Sequence, residues 1–173
     1  MRIICVSDNH GNTYYMEELL SIYQEEADEW IHCGDSELLE THPLWQNYRT
    51  VRGNMDIAEG FKTERVEELE GDRFLIVHGH RHGVKRSYNE LKTRALEENC
   101  QFAFYGHTHI PKVEEEDGIF FINPGSIAQP RDREIGTYLI MDLDKDNHQV
   151  SFIYYDRDHN EVKELTKSFN LTD

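Results

Sequence analysis

The chain has 173 residues, 38% of them apolar and 11% aromatic, with 34 acidic against 18 basic residues and a formal net charge of −16. That length suits one domain over residues 1–173 with a sizeable core, and the aromatic content excludes a disordered chain. So acidic a surface disfavours stable binding of nucleic acid or anionic membrane, and a phosphate-bearing substrate has to be held locally, by metal ions or a small basic patch.

The opening "MRIICVSDNHG" is too short and polar for a secretory apolar segment, and no apolar run reaches membrane-spanning length. Within it, "RIICVS" reads as a strand buried on both faces. "NTYYMEELLSIYQEEAD" reads as an amphipathic helix, with Asn12 as N-cap and Tyr15, Leu19, Ile22 and Tyr23 on its apolar face. "EWIHCGDS" is a second short strand, "ELLETHPLWQNY" is helical in parts around Pro43, and "RTVRGNMD" is a third strand. This β-α-β-α-β alternation predicts a parallel sheet with crossover helices.

The pattern then changes. "FKTERVEELEG" and "DRFLIVHGH" read as a hairpin turning at Gly71–Asp72, and "SYNELKTRALEENC" as a further amphipathic helix. "FAFYGHTH" is a strand, "KVEEEDGIFFINPGS" a hairpin turning at Asp117–Gly118, and "GTYLIMDLD" and "QVSFIYYD" the last strand pair. The tail "ELTKSFNLTD" is weakly patterned. Cys5, Cys33 and Cys100 are an odd count and read as reduced core thiols of a cytoplasmic protein, not as a disulfide framework.

The residues that end each strand form a series: Asp8-Asn9-His10, Gly34-Asp35, Gly53-Asn54, His78-Gly79-His80 and Gly106-His107-Thr108-His109. Each piece alone is an ordinary polar turn. Together they deliver carboxylate, amide and imidazole to the C-terminal edge of an α/β sheet, where ligands bind, with glycines that let backbone pass close by. Mixed O and N donors suit borderline divalent ions, and no cysteine stands at a strand end to make a thiolate zinc site. Seven donors are enough for two ions if one carboxylate bridges, and Asp35, central in the order, is the natural bridge.

In this order of blocks the sequence resembles the calcineurin-like metallophosphoesterases, and among them the small single-domain bacterial and archaeal phosphodiesterases. The resemblance implies an α/β fold of two mixed sheets packed face to face with helices on the outer faces, a four-layer αββα sandwich. It implies a first metal position at Asp8, His10, Asp35 and His109 and a second at Asp35, Asn54, His78 and His107. Asp35, Asn54 and His78 are expected to serve catalysis as well as ligation. Mn2+ is the expected ion, with Ni2+, Zn2+, Fe2+ and Co2+ also suited. The sequence departs from larger relatives at "GNMD", where Met55 stands in place of a histidine that protonates the leaving group.

Two divalent ions about 3.5–4 Å apart would share a hydroxide that attacks phosphorus in line. Two such ions, two carboxylates and one hydroxide leave about one formal positive charge, which matches a diester monoanion better than a monoester dianion. The expected partner is therefore a small phosphodiester. The competing readings are a scaffold of the same fold that works by binding partner proteins, and a regulatory nucleotide binder with little turnover.

"HGHRHGVKRS" is a basic segment in an acidic chain. Arg81, Lys85 and Arg86 read either as a substrate-recognition loop or as a solvated loop balanced by nearby acids. His80 and Asn9 are candidates to contact substrate or to support the ligands. "NPGSIAQPR" reads as scaffold beside the site, with Arg131 a further phosphate candidate. His32 reads as a core histidine, and His42, His148 and His159 as surface residues.

Overall fold

The computed structural model describes residues 1–171. The strands are β1 (Arg2–Val6), β2 (Glu29–His32), β3 (Glu64–Leu69), β4 (Asp72–Val77), β5 (Phe102–Phe104), β6 (Lys112–Glu116), β7 (Ile119–Asn123), β8 (Thr137–Asp144), β9 (Gln149–Asp156) and β10 (Lys167–Asn170). The helices are α1 (Tyr14–Tyr23) and α2 (Asn89–Glu97). One sheet runs β10-β9-β8-β1-β2 and the other β3-β4-β5-β7-β6, and each mixes parallel and antiparallel pairs.

Alternation along each strand sends one set of side chains between the sheets and the other outward. Ile3 and Cys5 of β1, Leu139 and Met141 of β8, Phe74 and Ile76 of β4, and Phe102 and Phe104 of β5 share the inner core. Ile4, Val6, Tyr138 and Ile140 face outward against Met16 and Leu19 of α1. Leu75, Val77, Ala103 and Phe121 face outward against Leu91 and Ala95 of α2. The result is the expected four-layer αββα sandwich. Full burial of a side chain such as Met16 or Leu19 contributes about 1.5–3 kcal/mol, which is what fixes a helix as short as α1 to its sheet.

Several elements differ from the sequence reading. The segment taken as a third parallel strand contributes only a two-bond bridge, His32 N–H to Arg49 O and Arg49 N–H to Trp30 O, both 2.9 Å. The chain leaves the sheet there because it must wrap Asp35: a Cβ on Gly53 would lie 2.0 Å from Asp35 Oδ1. The helical stretch around Pro43 is a single 3-10 turn, Pro43–Gln46. In α1, Met16 is buried and Ile22 exposed, and Asn12 Oδ1 accepts the Tyr14 N–H one residue ahead of the cap position at Thr13.

The β3–β4 turn is Glu70–Gly71, both with positive φ, which shifts the predicted turn by one residue. The turn at Asp117–Gly118 falls where expected. The weakly patterned tail supplies β10, whose Phe169 ring packs 5.1 Å from Phe120. His159 is bound from both sides, to Tyr138 Oη at 2.9 Å and to Glu18. The three cysteines are free and buried.

Candidate metal centre

The loops that follow β1 and β2 continue side by side beyond their strands. Asp8, His10 and Gly11 N–H groups donate to the carbonyls of Gly34, Asp35 and Ser36 at 3.1, 3.1 and 2.7 Å. This pairing brings Asp8 and Asp35 to one edge of the sandwich. Asp8, His10, Asp35, His107 and His109 all have left-handed backbone, with φ of 54°, 45°, 56°, 70° and 61°. Such values are uncommon outside glycine and concentrate where side chains must be aimed at a site. The β5 loop enters through Gly106, where a Cβ would lie 2.6 Å from Asp8 Oδ2.

All seven expected ligands meet at this edge. Asp8 Oδ1 is buried, lacks any hydrogen-bond partner, and lies 3.2, 3.8 and 3.9 Å from Nε2 of His109, His10 and His78. Asp35 Oδ2 lies 3.1 Å from His78 Nε2, and its Oδ1 accepts the Met55 N–H at 2.8 Å. Asn54 Oδ1 lies 2.9 Å from His78 Nε2 and 3.1 Å from His107 Nδ1. Two metal-competent groups result, Asp8 with His10 and His109, and Asp8 with Asp35 and His78. Asp8, at the buried back of the site, is common to both. Asp35 faces the open cavity of about 320 Å3 together with His10, Asn54, His107 and His109.

The donor chemistry fits divalent cations. His78 Nδ1–H donates to Cys33 O at 2.7 Å and His109 Nδ1–H to Gln129 O at 2.6 Å. Each neutral ring then turns an Nε2 lone pair into the site, as backbone-anchored metal histidines do. The His78 lone pair meets the oxygens of Asp35 and Asn54, and that of His109 meets Asp8 Oδ1 and, at 3.2 Å, His10 Nε2. Lone pairs that converge in this way repel one another unless a cation, a proton or a metal ion, lies between them. The same demand appears in the proton affinities. Burial opposes a charged His78, yet Asp35 and Asp8 hold its pKa above the usual value. The Asp8 carboxylate, 3.2 Å away, raises His109 against a smaller burial penalty. Burial, reinforced by His78, pushes His107 down to about 4 and leaves it neutral.

The remaining sequence candidates divide. Asn9 is buried, and its amide is committed inward: Nδ2 donates to Asn12 O and Ser36 O at 3.0 and 3.3 Å, and Oδ1 accepts from His32 Nε2 at 2.8 Å. It ties the β1 and β2 loops together and offers no group to a substrate. His80 packs beside His78 and His107, at ring distances of 5.4 and 6.1 Å, and with Arg81 it lines a separate hollow of about 250 Å3 bounded by Arg52, Asn54 and Asp56. Lys85 reaches the metal cavity itself, and so does Arg131.

Two supporting residues escaped the sequence reading. Asp56 accepts the N–H groups of Asp35, Glu37 and Gly53 at 3.0, 2.8 and 2.7 Å. Asn123 Nδ2 holds the β5 loop through Gly106 O and Thr108 Oγ1 at 3.2 and 2.9 Å. The only signals were an acid closing "GNMD" and an amide closing the apolar run "IFFIN". Ser126 of the segment read as scaffold donates to Asp8 O at 2.8 Å.

A sandwich of two mixed sheets with carboxylates and imidazoles gathered at one edge is a fold with a metal-competent site. The chain belongs to the calcineurin-like phosphoesterase superfamily, whose domain description matches residues 1–146. It is 37% identical over 171 residues to the probable metallophosphoesterase YsnB of Bacillus subtilis, covering 99% of this chain and 100% of that protein. It is 27% identical to the phosphodiesterase YfcE of Escherichia coli K12, covering 83% of this chain and 89% of that one. The crystal structure of a conserved phosphoesterase-like protein from Streptococcus pneumoniae TIGR4 superposes with a TM-score of 0.92 at 35% identity, over 98% of this chain and 97% of that one. No helix among the described residues is long and apolar enough to cross a membrane.

Proposed function

We propose that residues 1–173 form one domain that hydrolyses small phosphodiesters with two divalent cations, Mn2+ foremost, in the cytoplasm. The observation that carries this reading is the unpartnered, buried Asp8 Oδ1 set among the Nε2 atoms of His10, His78 and His109. Asp8, His10, Asp35 and His109 would hold one ion, and Asp35, Asn54, His78 and His107 the other. Asp35 is assigned the bridge because it faces the cavity between the two sets, whereas Asp8 lies behind them. When bound, such ions neutralise charge on the phosphoryl oxygens and acidify a water molecule to serve as nucleophile.

The protein's own groups do the rest. Cys33 O and Gln129 O fix the rings of His78 and His109 so that neither has to reorient during the reaction. Lys85 and Arg131 stand at the cavity mouth, where they attract the phosphate. Met55 occupies the place of a proton donor and cannot protonate a departing alkoxide, which favours esters whose leaving group departs as a stable anion. The name of the YfcE relative supports diesters over monoesters.

The test is hydrolysis of bis-p-nitrophenyl phosphate and p-nitrophenyl phosphate by Mn2+-loaded protein. A clear preference for the diester, abolished by chelation and restored by Mn2+, is expected. Turnover of the monoester alone would sink the diesterase reading.

A further inference from the structure

A cleft of about 580 Å3 opens directly from the metal cavity, and Lys85 and Arg131 line both. Its lining adds Arg86. Lys85, Arg86 and Arg131 are exposed, and among the described residues their side chains make no hydrogen bond or ion pair. In a chain with 34 acids for 18 bases this is unusual. Arg2, Arg49, Arg65, Arg73, Lys92 and Arg94, by contrast, are all paired with carboxylates. Among the described residues Lys62, Arg81 and Lys163 are unpaired as well, but Lys85, Arg86 and Arg131 stand together on one cleft that adjoins the metal cavity.

The rest of the lining has a different chemistry. Tyr88 and Tyr105 line the cleft, with their hydroxyls 2.9 Å apart; Tyr105 is buried, Tyr88 is stacked on Phe121 by one face, and Ile110 adds exposed apolar surface. Lys112 lies 5.8 Å from the Tyr88 ring centroid. Glu114 and Glu116 also line the cleft, Glu114 paired with Lys112 and accepting from Tyr88 Oη at 3.1 Å, and Glu116 3.0 Å from Lys92 Nζ. Each carboxylate keeps lone pairs beyond these partners and can accept a further N–H donor. The unpaired cations shared with the metal cavity suit a phosphate, and an aromatic ring with carboxylate acceptors suits an amino-bearing nucleobase.

Resting on the diesterase reading above, we propose that one ester arm of the substrate is a nucleotide carrying a second phosphate. The scissile phosphate sits at the metals, the second phosphate on Lys85, Arg86 and Arg131, and the base against Tyr88 and Ile110. A cleft of this size accommodates such an arm.

The test is calorimetric titration of Mn2+-loaded protein, freed of excess metal, with adenosine 3′,5′-bisphosphate, adenosine 5′-monophosphate, ribose 5-phosphate and inorganic phosphate. The nucleoside monophosphate should bind about tenfold tighter than ribose 5-phosphate, and the bisphosphate about tenfold tighter again. Lys85→Ala and Arg131→Ala should each weaken the bisphosphate by about tenfold. Both side chains are exposed and unpaired, so folding is not at stake. Lys163→Ala, an exposed cation lining neither cavity, is the control and should bind like wild type. Equal binding of ribose 5-phosphate and the nucleoside monophosphate, or wild-type affinity in both cleft variants, overturns the proposal. Turnover of bis-p-nitrophenyl phosphate is measured separately. Diester turnover without nucleotide preference removes the cleft assignment alone. Nucleotide binding that depends on Lys85 and Arg131, without diester turnover, removes the diesterase reading and leaves the nucleotide site standing.

Discussion

Asp56 holds Asp35 by its backbone: the Asp35 N–H donates to Asp56 Oδ2 at 3.0 Å, and the same oxygen accepts the Gly53 N–H at 2.7 Å. One buried carboxylate thus fixes the spacing between the loop carrying Asp35 and the loop carrying Asn54. Asp56→Ala leaves these buried donors without an acceptor, at about 1–3 kcal/mol each. Thermal unfolding and Mn2+ titration of this variant should show both a lower Tm and weaker binding. Asp56→Asn retains an oxygen acceptor and should recover part of each. Wild-type metal affinity in Asp56→Ala would mean that the loops hold their geometry without it.

The two site carboxylates make distinguishable predictions. Asp35→Asn weakens the ligand assigned to both ions, and elemental analysis should find metal depleted at both positions. Asp8→Asn should deplete mainly the position shared with His10 and His109. The opposite ranking would move the bridge to Asp8, which is the carboxylate common to both clusters.

Met55 is 52% exposed, and its N–H donates to Asp35 Oδ1. Met55→His keeps that backbone bond and adds an imidazole at the cavity. Proton donation typically contributes about 10²–10⁴-fold. The variant should therefore gain on alkyl esters, whose leaving groups are poor, and gain little on nitrophenyl esters. Equal gains on both, measured as kcat/KM, would count against a missing proton donor.

His32 is fully buried between Thr50 and Asn9, at 2.8 Å from each. Burial pushes its pKa down to about 3, despite the attraction of Asp8. The unfolded chain takes up this proton near the ordinary value of about 6.5 and the folded chain does not, so stability is lost as pH falls between the two values. The slope is on the order of 1 kcal/mol per pH unit. Urea unfolding of metal-free protein between about pH 7 and about pH 4.5 should show a shallower loss in His32→Gln than in wild type. Identical slopes would show that the titration of His32 is not what sets the acid sensitivity.

The candidate metal edge was legible because its residues come in short blocks, each at the end of an apolar run and each containing or adjoining a glycine. The sandwich was legible through the family resemblance and the change from helix alternation to hairpins. The residues missed act across long sequence separations. Asp56 works on Asp35 and Asn123 on Gly106, whereas Arg131, a phosphate candidate from the sequence, lines the cavity beside Lys85 from a different loop. No periodicity announces such contacts. The segment "RTVRG" has strand composition, yet Gly53 must pass against Asp35, and that tertiary demand overrides local preference. Asn9 has the composition of a ligand-facing turn, but its amide is committed to Asn12, Ser36 and His32.

The most direct measurement is a stepwise Mn2+ titration of metal-free protein, following bound ions per chain and turnover of bis-p-nitrophenyl phosphate in the same samples. If the strand-end cluster is a two-ion site for diester hydrolysis, two ions bind per chain and turnover rises with the second. Full turnover in protein shown by elemental analysis to hold no metal, or saturation of activity at one ion per chain, would contradict it.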